Sequence, residues 1–479
     1  KTKIAIIGGG SAGWITLSYL AATTDAELVI IHSNEVDPIG VGESTTPTIK
    51  HVADTIGVDE ATWMKDAKAT FKYGVEFHNF NKKGSRWLHS FDDMLPHQTF
   101  HRPITENGKE LYRKDLTSVE YFLKTHGKDA ELFNRTHGPQ EHLLENRLSP
   151  FDKNLKANIS QYPGYSYHIN AFHFGESLRK HTPKERYTEI VDKVIALNIQ
   201  DDGLKSVVLT NGDNIEADVF FDCTGFHKLL VSEFSDWSPY TDLINNAAVW
   251  GQIKNVKSDK PVTEAHAQDS GWIWVIPTYN QIGSGYVYSK KHCTEKEAVD
   301  TITKFWADAG YKFDLFKSVE FNAGRQENVS IKNVIANGLA QSFIEPLEAT
   351  SVMVTCVTAK SFAEIYNKQN TWSEKQTQIH NKVMQKFIDH TKRFVHFHYR
   401  LSERDDTPYW KEVANDPTAV QEMCDYIDVL AKGHWLSKGE TLLNQWNWTS
   451  LLLGFDKPYV NQLPDIDQDE IENYHHYTD

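Results

Sequence analysis

Apolar positions near the start of the chain fall in short blocks separated by glycine. Lys3-Ile4-Ala5-Ile6-Ile7 is a short apolar run, Gly8-Gly9-Gly10-Ser11-Ala12-Gly13 follows at once, and Trp14 to Ala22 is compatible with a helix. A second apolar run spans Glu27 to Ile31. The order strand, glycine turn, helix, strand predicts a unit in which backbone N–H groups and the positive end of a helix dipole face one point. Further on, Ile215 to Asp222 is an apolar strand ending in Cys223-Thr224-Gly225-Phe226. In Gly271-Trp272-Ile273-Trp274-Val275-Ile276-Pro277 the tryptophans stand at i and i+2, so a strand projects both from one face. Such a pair can wall off one interior space from another. Taken alone, it also fits an ordinary buried strand with a heavy aromatic load.

The same patterning sets the expected organisation. Strand and helix signals alternate over residues 1–80 and 160–360, which predicts a discontinuous doubly wound α/β domain. Block 81–159 is loop-rich and charged, with many His and aromatic residues, and 361–479 reads mostly helical, with Trp372, Trp410, Trp435, Trp446 and Trp448 spread through it. These two blocks are expected to form a mainly helical substrate-binding cap.

The glycine loop carries the first chemistry. Gly8, Gly10 and Gly13, with Ser11 and Ala12 between them, have the spacing and context that seat a pyrophosphate on a helix N-terminus. That fingerprint expects an acid about 20 residues on to hold a ribose. His32 stands there, so Glu35 or a backbone group must serve, and tightly held FAD is favoured over a dissociable NAD. In Gly40-Val41-Gly42-Glu43, small residues let backbone approach a flat ligand, which makes Gly42 and Glu43 contact candidates. Asp222 and Gly225 end their strand where the adenosine half of a flavin would lie.

At this point the chain resembles the flavin-dependent tryptophan halogenases. The resemblance rests on the glycine loop, Gly40-Val41-Gly42-Glu43, Asp222-Cys223-Thr224-Gly225-Phe226, the tryptophan–proline segment, and Glu345-Pro346-Leu347-Glu348-Ala349-Thr350. It implies a glutathione-reductase-like FAD domain of the flavin monooxygenase type, with reduced FAD, oxygen and a halide ion yielding hypohalous acid. Trp272, Trp274 and Pro277 would form the partition between flavin and aromatic substrate. Phe71-Lys72-Tyr73-Gly74 resembles the segment supplying the family's active-site lysine, so Lys72 would receive the oxidant, either by donating a hydrogen bond or as a haloamine. Otherwise it is a solvated surface lysine. Glu348 would stabilise the cationic ring and assist proton loss, or else act as an N-cap or structural carboxylate next to the following helix. Thr350 and Ser351 would meet the halide, although Ser351 replaces the family's glycine. His89-Ser90-Phe91 resembles the His-x-Phe pair that sandwiches indole, with His89 and Phe91 as substrate contacts; a satisfied loop histidine is the alternative.

Composition narrows the rest. The net charge is −15 with a pI near 5.8, which argues against a nucleic-acid surface. Four cysteines lie far apart without metal spacing, so no metal is expected. No membrane span or secretory signal is visible, and a cytoplasmic location is expected. One dinucleotide loop and no nicotinamide signature imply a separate flavin reductase as partner, beside a small aromatic substrate; the reading is compatible with a homo-oligomer. An aromatic hydroxylase with the same fold, or a non-catalytic flavin-binding protein, are the competing functions.

Overall fold

The structure is a computed structural model, and it describes residues 1–34, 42–91, 99–106, 109–117, 122, 126–127, 129–152, 154, 164–414, 416, 418–423, 425, 443 and 445–457. The chain divides into two compact units. One comprises Lys1–Lys72 and Ser166–His396, the other Tyr73–Tyr165 and Phe397–Asp479.

A parallel sheet forms the base of the first unit. Its strands run in the order Tyr187–Val191, Glu27–His32, Lys3–Ile7, Val219–Asp222 and Val334–Ala336, with a short antiparallel edge at Ser330–Ile331. The inner strands read as unbroken apolar runs because both faces are covered. Ala5, Ile7, Val29, Ile31, Phe220, Val334 and Ala336 meet in one core on one side. Helix Ser11–Thr23 is buried from Gly13 to Ala21, which explains why it shows no amphipathic stripe.

Five antiparallel strands of this unit lie in a second sheet, in the order Asp314–Glu320, Ala247–Lys254, Gln281–Tyr288, Gly271–Thr278 and Thr263–Gln268. Helix Glu295–Asp308, started by a Thr294/Glu297 capping box, packs Ala298, Ile302 and Trp306 against this sheet. A third, three-stranded sheet places Ser166–Asn170 between Gly42–Ser44 and Thr70–Lys72.

The second unit departs from the loop-rich and mainly helical expectation. Gly74–His78 pairs with Arg86–Ser90, and Thr99–Glu106 with Lys109–Thr117. In the latter hairpin Arg102, Pro103 and Glu106 interrupt the first strand and five charged residues the second, so an alternation of apolar and polar positions is hard to see. Helices Ala130–His137, Gln140–Glu145, Pro408–Val413 and Gln445–Gly454 also belong to this unit. Phe77 stacks on Trp87 at 4.7 Å, and a Cβ on Gly454 would fall 2.1 Å from the Trp87 ring.

Residues 361–396, expected with the cap, belong to the first unit. Helical text does not name its packing partner. Here Phe362 meets Phe221 at 5.0 Å, His380 Nδ1 lies 2.7 Å from Ser330 Oγ, and Arg325 pairs with Asp389 at 2.7 Å. No helix among the described residues is long and apolar enough to cross a membrane. Cys223, Cys293 and Cys356 are buried and free, and Cys424 lies outside the described residues.

Candidate active site

The glycine loop ends the first strand and opens the first helix. Gly8 has φ +119°, and a Cβ there would fall 2.3 Å from the Cys223 carbonyl oxygen; one on Gly13 would fall 1.9 Å from the Gly8 oxygen. Both therefore need to be glycine. Gly10 faces open space, with nothing within 4 Å of a Cβ. The helix starting at Ser11 has no side-chain cap and no acid in its first turn. Uncapped N–H groups, a dipole and an open approach together fit a pyrophosphate, so the residues present suit a dinucleotide such as FAD.

At the ribose position His32 Nε2 lies 3.0 Å from Glu189 Oε1. Arg179 pairs with the same carboxylate at 2.6 Å. A carboxylate thus lies beside His32 on the neighbouring parallel strand, where Glu189 pairs in register with Ile30. Sequence reasoning missed Glu189, because nothing in the linear text joins it to the glycine loop. Glu35 lies outside the described residues.

Gly42 packs on the tryptophan strand, since a Cβ would fall 2.9 Å from the Ile276 and Thr278 methyls. Beside it, burial pushes the Glu43 carboxyl up to about 7. Asp222 is fully buried, and its carboxylate accepts from Thr224 N at 3.0 Å, Thr224 Oγ1 at 2.7 Å, Leu230 N at 2.7 Å and Val231 N at 2.9 Å. These bonds go to its own loop, so Asp222 shapes the turn in which Gly225 takes φ +67°. Asn337, also missed, ties this region together: its Nδ2 donates to Thr16 Oγ1 at 2.9 Å and its Oδ1 accepts from Gly338 N at 2.8 Å. A Cβ on Gly338 would fall 2.7 Å from that of Ala12.

Trp272 and Trp274 lie on Gly271–Thr278, the first buried and the second half-buried, with ring centroids 6.2 Å apart and planes at 58°. Trp272 Nε1 donates to Glu345 Oε2 at 3.2 Å, and Asn245 Nδ2 donates to the same oxygen at 2.8 Å. The Trp274 ring occupies the space above Gly285, where a Cβ would fall 2.0 Å from it. One indole is fixed by a buried carboxylate and the other by a glycine slot. A strand pattern alone showed neither.

Lys72 ends the strand Thr70–Lys72 and is fully buried. Its Nζ donates to the Thr45 carbonyl at 2.8 Å. Thr45 is held in turn, with Oγ1 2.7 Å from Ser166 Oγ and donating to the Tyr167 carbonyl at 2.7 Å. Burial lowers the Lys72 ammonium to about 7, and the nearby Glu348 charge pulls the other way. The reading of Lys72 as a solvated surface lysine is therefore set aside.

Glu348 is buried in the short 3-10 turn Pro346–Glu348, and Ala349 follows at φ 57° before helix Thr350–Tyr366. No side chain caps this helix, so Glu348 is not its cap. Thr350 Oγ1 is buried with no hydrogen-bond partner among the described residues, whereas Ser351 is half-buried. The first unit thus brings Lys72 and Glu348 within electrostatic reach. His89 and Phe91 belong to the second unit, where His89 Nε2 lies 3.0 Å from Asn447 Oδ1 and Phe91 N donates to the Tyr73 carbonyl at 2.9 Å.

A family model described as tryptophan halogenase matches residues 3–465. The chain belongs to the tryptophan halogenase family, and it is an enzyme of the flavin-dependent halogenase class. It is 29% identical over 429 residues to the tryptophan 6-halogenase SttH of Streptomyces toxytricini, covering 86% of this chain and 80% of that protein. It is 28% identical over 452 residues to the tryptophan 7-halogenase RebH of Lentzea aerocolonigenes, covering 90% and 82%. Among solved structures, a tryptophan halogenase from Shewanella frigidimarina superposes with a TM-score of 0.82 at 26% identity, covering 100% of this chain and 93% of that one.

Proposed function

We propose that this chain uses reduced FAD, oxygen and a halide ion to halogenate an electron-rich aromatic ring such as indole or tryptophan, with Lys72 passing on the oxidant. The carrying observation is a fully buried lysine, lowered to about 7, beside a buried Glu348. The first unit serves as the FAD domain of the flavin monooxygenase type, with Gly8, Gly10, Ser11, Ala12 and Gly13 holding the pyrophosphate and Gly42, Glu43 and the Asp222–Gly225 turn closing around the cofactor. When bound, reduced FAD supplies the electrons with which oxygen oxidises halide to hypohalous acid. The second unit acts as the substrate cap, with His89 and Phe91 flanking the indole.

Near neutral pH a lysine of this kind offers both of its forms. The ammonium can donate a hydrogen bond to the oxygen of hypohalous acid and polarise the O–halogen bond. The free amine can take the halogen, forming an N–halogen bond and releasing water. Either way, in this reading Glu348 stabilises the cationic ring and accepts the proton that the ring loses. Thr350, with a buried hydroxyl at the N-terminus of a 17-residue helix, is the halide contact, and Ser351 lies beside it. Trp272, Trp274 and Pro277 keep the arene from the cofactor.

The test is product mass. Protein with FAD, a flavin reductase, NADH, oxygen, indole or tryptophan, and each halide in turn should give a halogenated ring only when the reductase is present. A hydroxylated ring would establish the aromatic hydroxylase instead, and no product with flavin bound would establish a binding protein.

A further inference from the structure

The three-stranded sheet that carries Lys72 presents a row of buried polar side chains. In register, His168 lies between Ser44 on one neighbour and Thr70 on the other, and Ser166 lies opposite Lys72. Side chains two apart on a strand share a face, so Thr70 accompanies Lys72, and His168 accompanies Ser166. His168 is fully buried, and the described hydrogen bonds at both ring nitrogens go to threonine hydroxyls: Nδ1 to Thr70 Oγ1 at 3.1 Å and Nε2 to Thr263 Oγ1 at 2.9 Å. Thr70 Oγ1 also donates to the Pro277 carbonyl at 2.6 Å, and Thr263 Oγ1 lies 2.6 Å from Ser44 Oγ.

Proton counting gives the chain a direction. A carbonyl cannot donate, so the single Thr70 proton goes to Pro277, and toward His168 the Thr70 oxygen accepts. Nδ1 therefore carries a proton. Burial and the charge of Lys72 hold the ring well below the ordinary histidine value, so it is neutral and Nε2 is an acceptor. Thr263 then donates to Nε2, and Ser44 donates to Thr263. Each hydroxyl in the chain has an assigned role, and the chain runs from the strand of Gly42 and Glu43 to the carbonyl at the end of the tryptophan segment.

From this we infer that His168 is a positioning residue: as the neutral Nδ1–H tautomer it fixes the direction of a hydroxyl–imidazole chain that holds the Lys72 strand on the Trp272–Pro277 strand. The inference rests on the reading of Lys72 as oxidant carrier, but its physical claim does not. An imidazolium would present a donor to Thr263 and force that hydroxyl to turn. A residue lacking the Nδ1–H would leave the Thr70 oxygen without the donor that orients its hydroxyl toward the Pro277 carbonyl, and the tie between the two strands would loosen.

Two measurements test it. First, the Lys72 ε-amine is titrated by NMR on lysine-labelled protein, and the His168 tautomer is read from imidazole nitrogen shifts near pH 7. The parent should show Nδ1–H with an unprotonated Nε2, and Lys72 titrating at about 7. His168→Phe and Thr70→Val should shift the Lys72 titration away from that of the parent as the strand that carries it moves, whereas His168→Asn, which keeps a donor to Thr70, should stay close to the parent. Second, halogenated product is measured per oxygen consumed. In His168→Phe and Thr70→Val it should fall roughly tenfold to a hundredfold with flavin affinity and oxygen consumption unchanged, and His168→Asn should recover most of it. An Nε2–H tautomer, an imidazolium, or Lys72 titrating identically in all variants would overturn the inference. A parent that makes no halogenated product would overturn the proposed function while leaving the NMR result to decide the role of His168.

Discussion

Lys72→Met replaces a buried ammonium by an uncharged side chain of similar length, and the structure sets the sign of its effect on stability. The folded chain holds Lys72 at about 7 against an ordinary 10.5. Unfolded chain therefore binds the proton more tightly, and Lys72 penalises folding in full below about pH 7. The penalty fades as pH rises from about 7 to about 10.5. Integrating proton binding between about pH 6 and about pH 9.5, the parent should gain about 3 kcal/mol of stability relative to Lys72→Met. Urea unfolding of both proteins at the two pH values, followed by tryptophan fluorescence, measures this difference directly, because all other titrations are shared. In a Glu348→Gln background the difference should widen, since the carboxylate that raises the Lys72 value is gone. Parallel pH dependence of parent and Lys72→Met would mean that Lys72 is solvated, and would refute the reasoning.

Three further outcomes follow from local geometry. Ala349 holds a left-handed φ of 57°, so Ala349→Gly should raise stability by about 0.5–1 kcal/mol after the entropy that glycine adds to the unfolded chain, read from the denaturation midpoint. Gly13→Ala, whose Cβ would fall 1.9 Å from the Gly8 oxygen, should lose flavin and fold poorly, whereas Gly10→Ala should fold normally and lose flavin affinity alone, as shown by flavin titration beside a melting curve. Trp272→Phe removes the donor to Glu345 and should cost about 1–3 kcal/mol. If the folded variant halogenates as the parent does and releases no extra oxidant to a thioether trap, the partition role of that ring is wrong.

Several parts of this architecture were legible because adjacent residues carry them. The glycine loop declares itself by spacing, and in the structure Gly8 and Gly13 have no room for a Cβ while Gly10 faces open space. The Trp272–Trp274 pair is a local pattern, two tryptophans set two residues apart in an apolar run. Other parts depend on pairings that linear text does not contain. Glu189 reaches His32 only through parallel strand pairing across 157 residues. The His168 chain draws on five strands, and each of its hydroxyls reads in sequence as a common strand threonine or serine. The boundary after His396 was missed because helix Glu374–Arg400 looks uniform while its partners change along its length. The hairpin Thr99–Thr117 was missed because its charged residues mask strand periodicity.

The central claim is that Lys72 carries the oxidant from the cofactor side to the arene, and Lys72→Ala tests it most directly. With FAD, reductase, oxygen, bromide and indole, halogenated indole and trapped oxidant are measured together by mass. The account predicts that brominated indole disappears from the folded, flavin-loaded variant while bromide-dependent oxidation of an added thioether continues at the parent rate. Brominated indole at the parent level would contradict it.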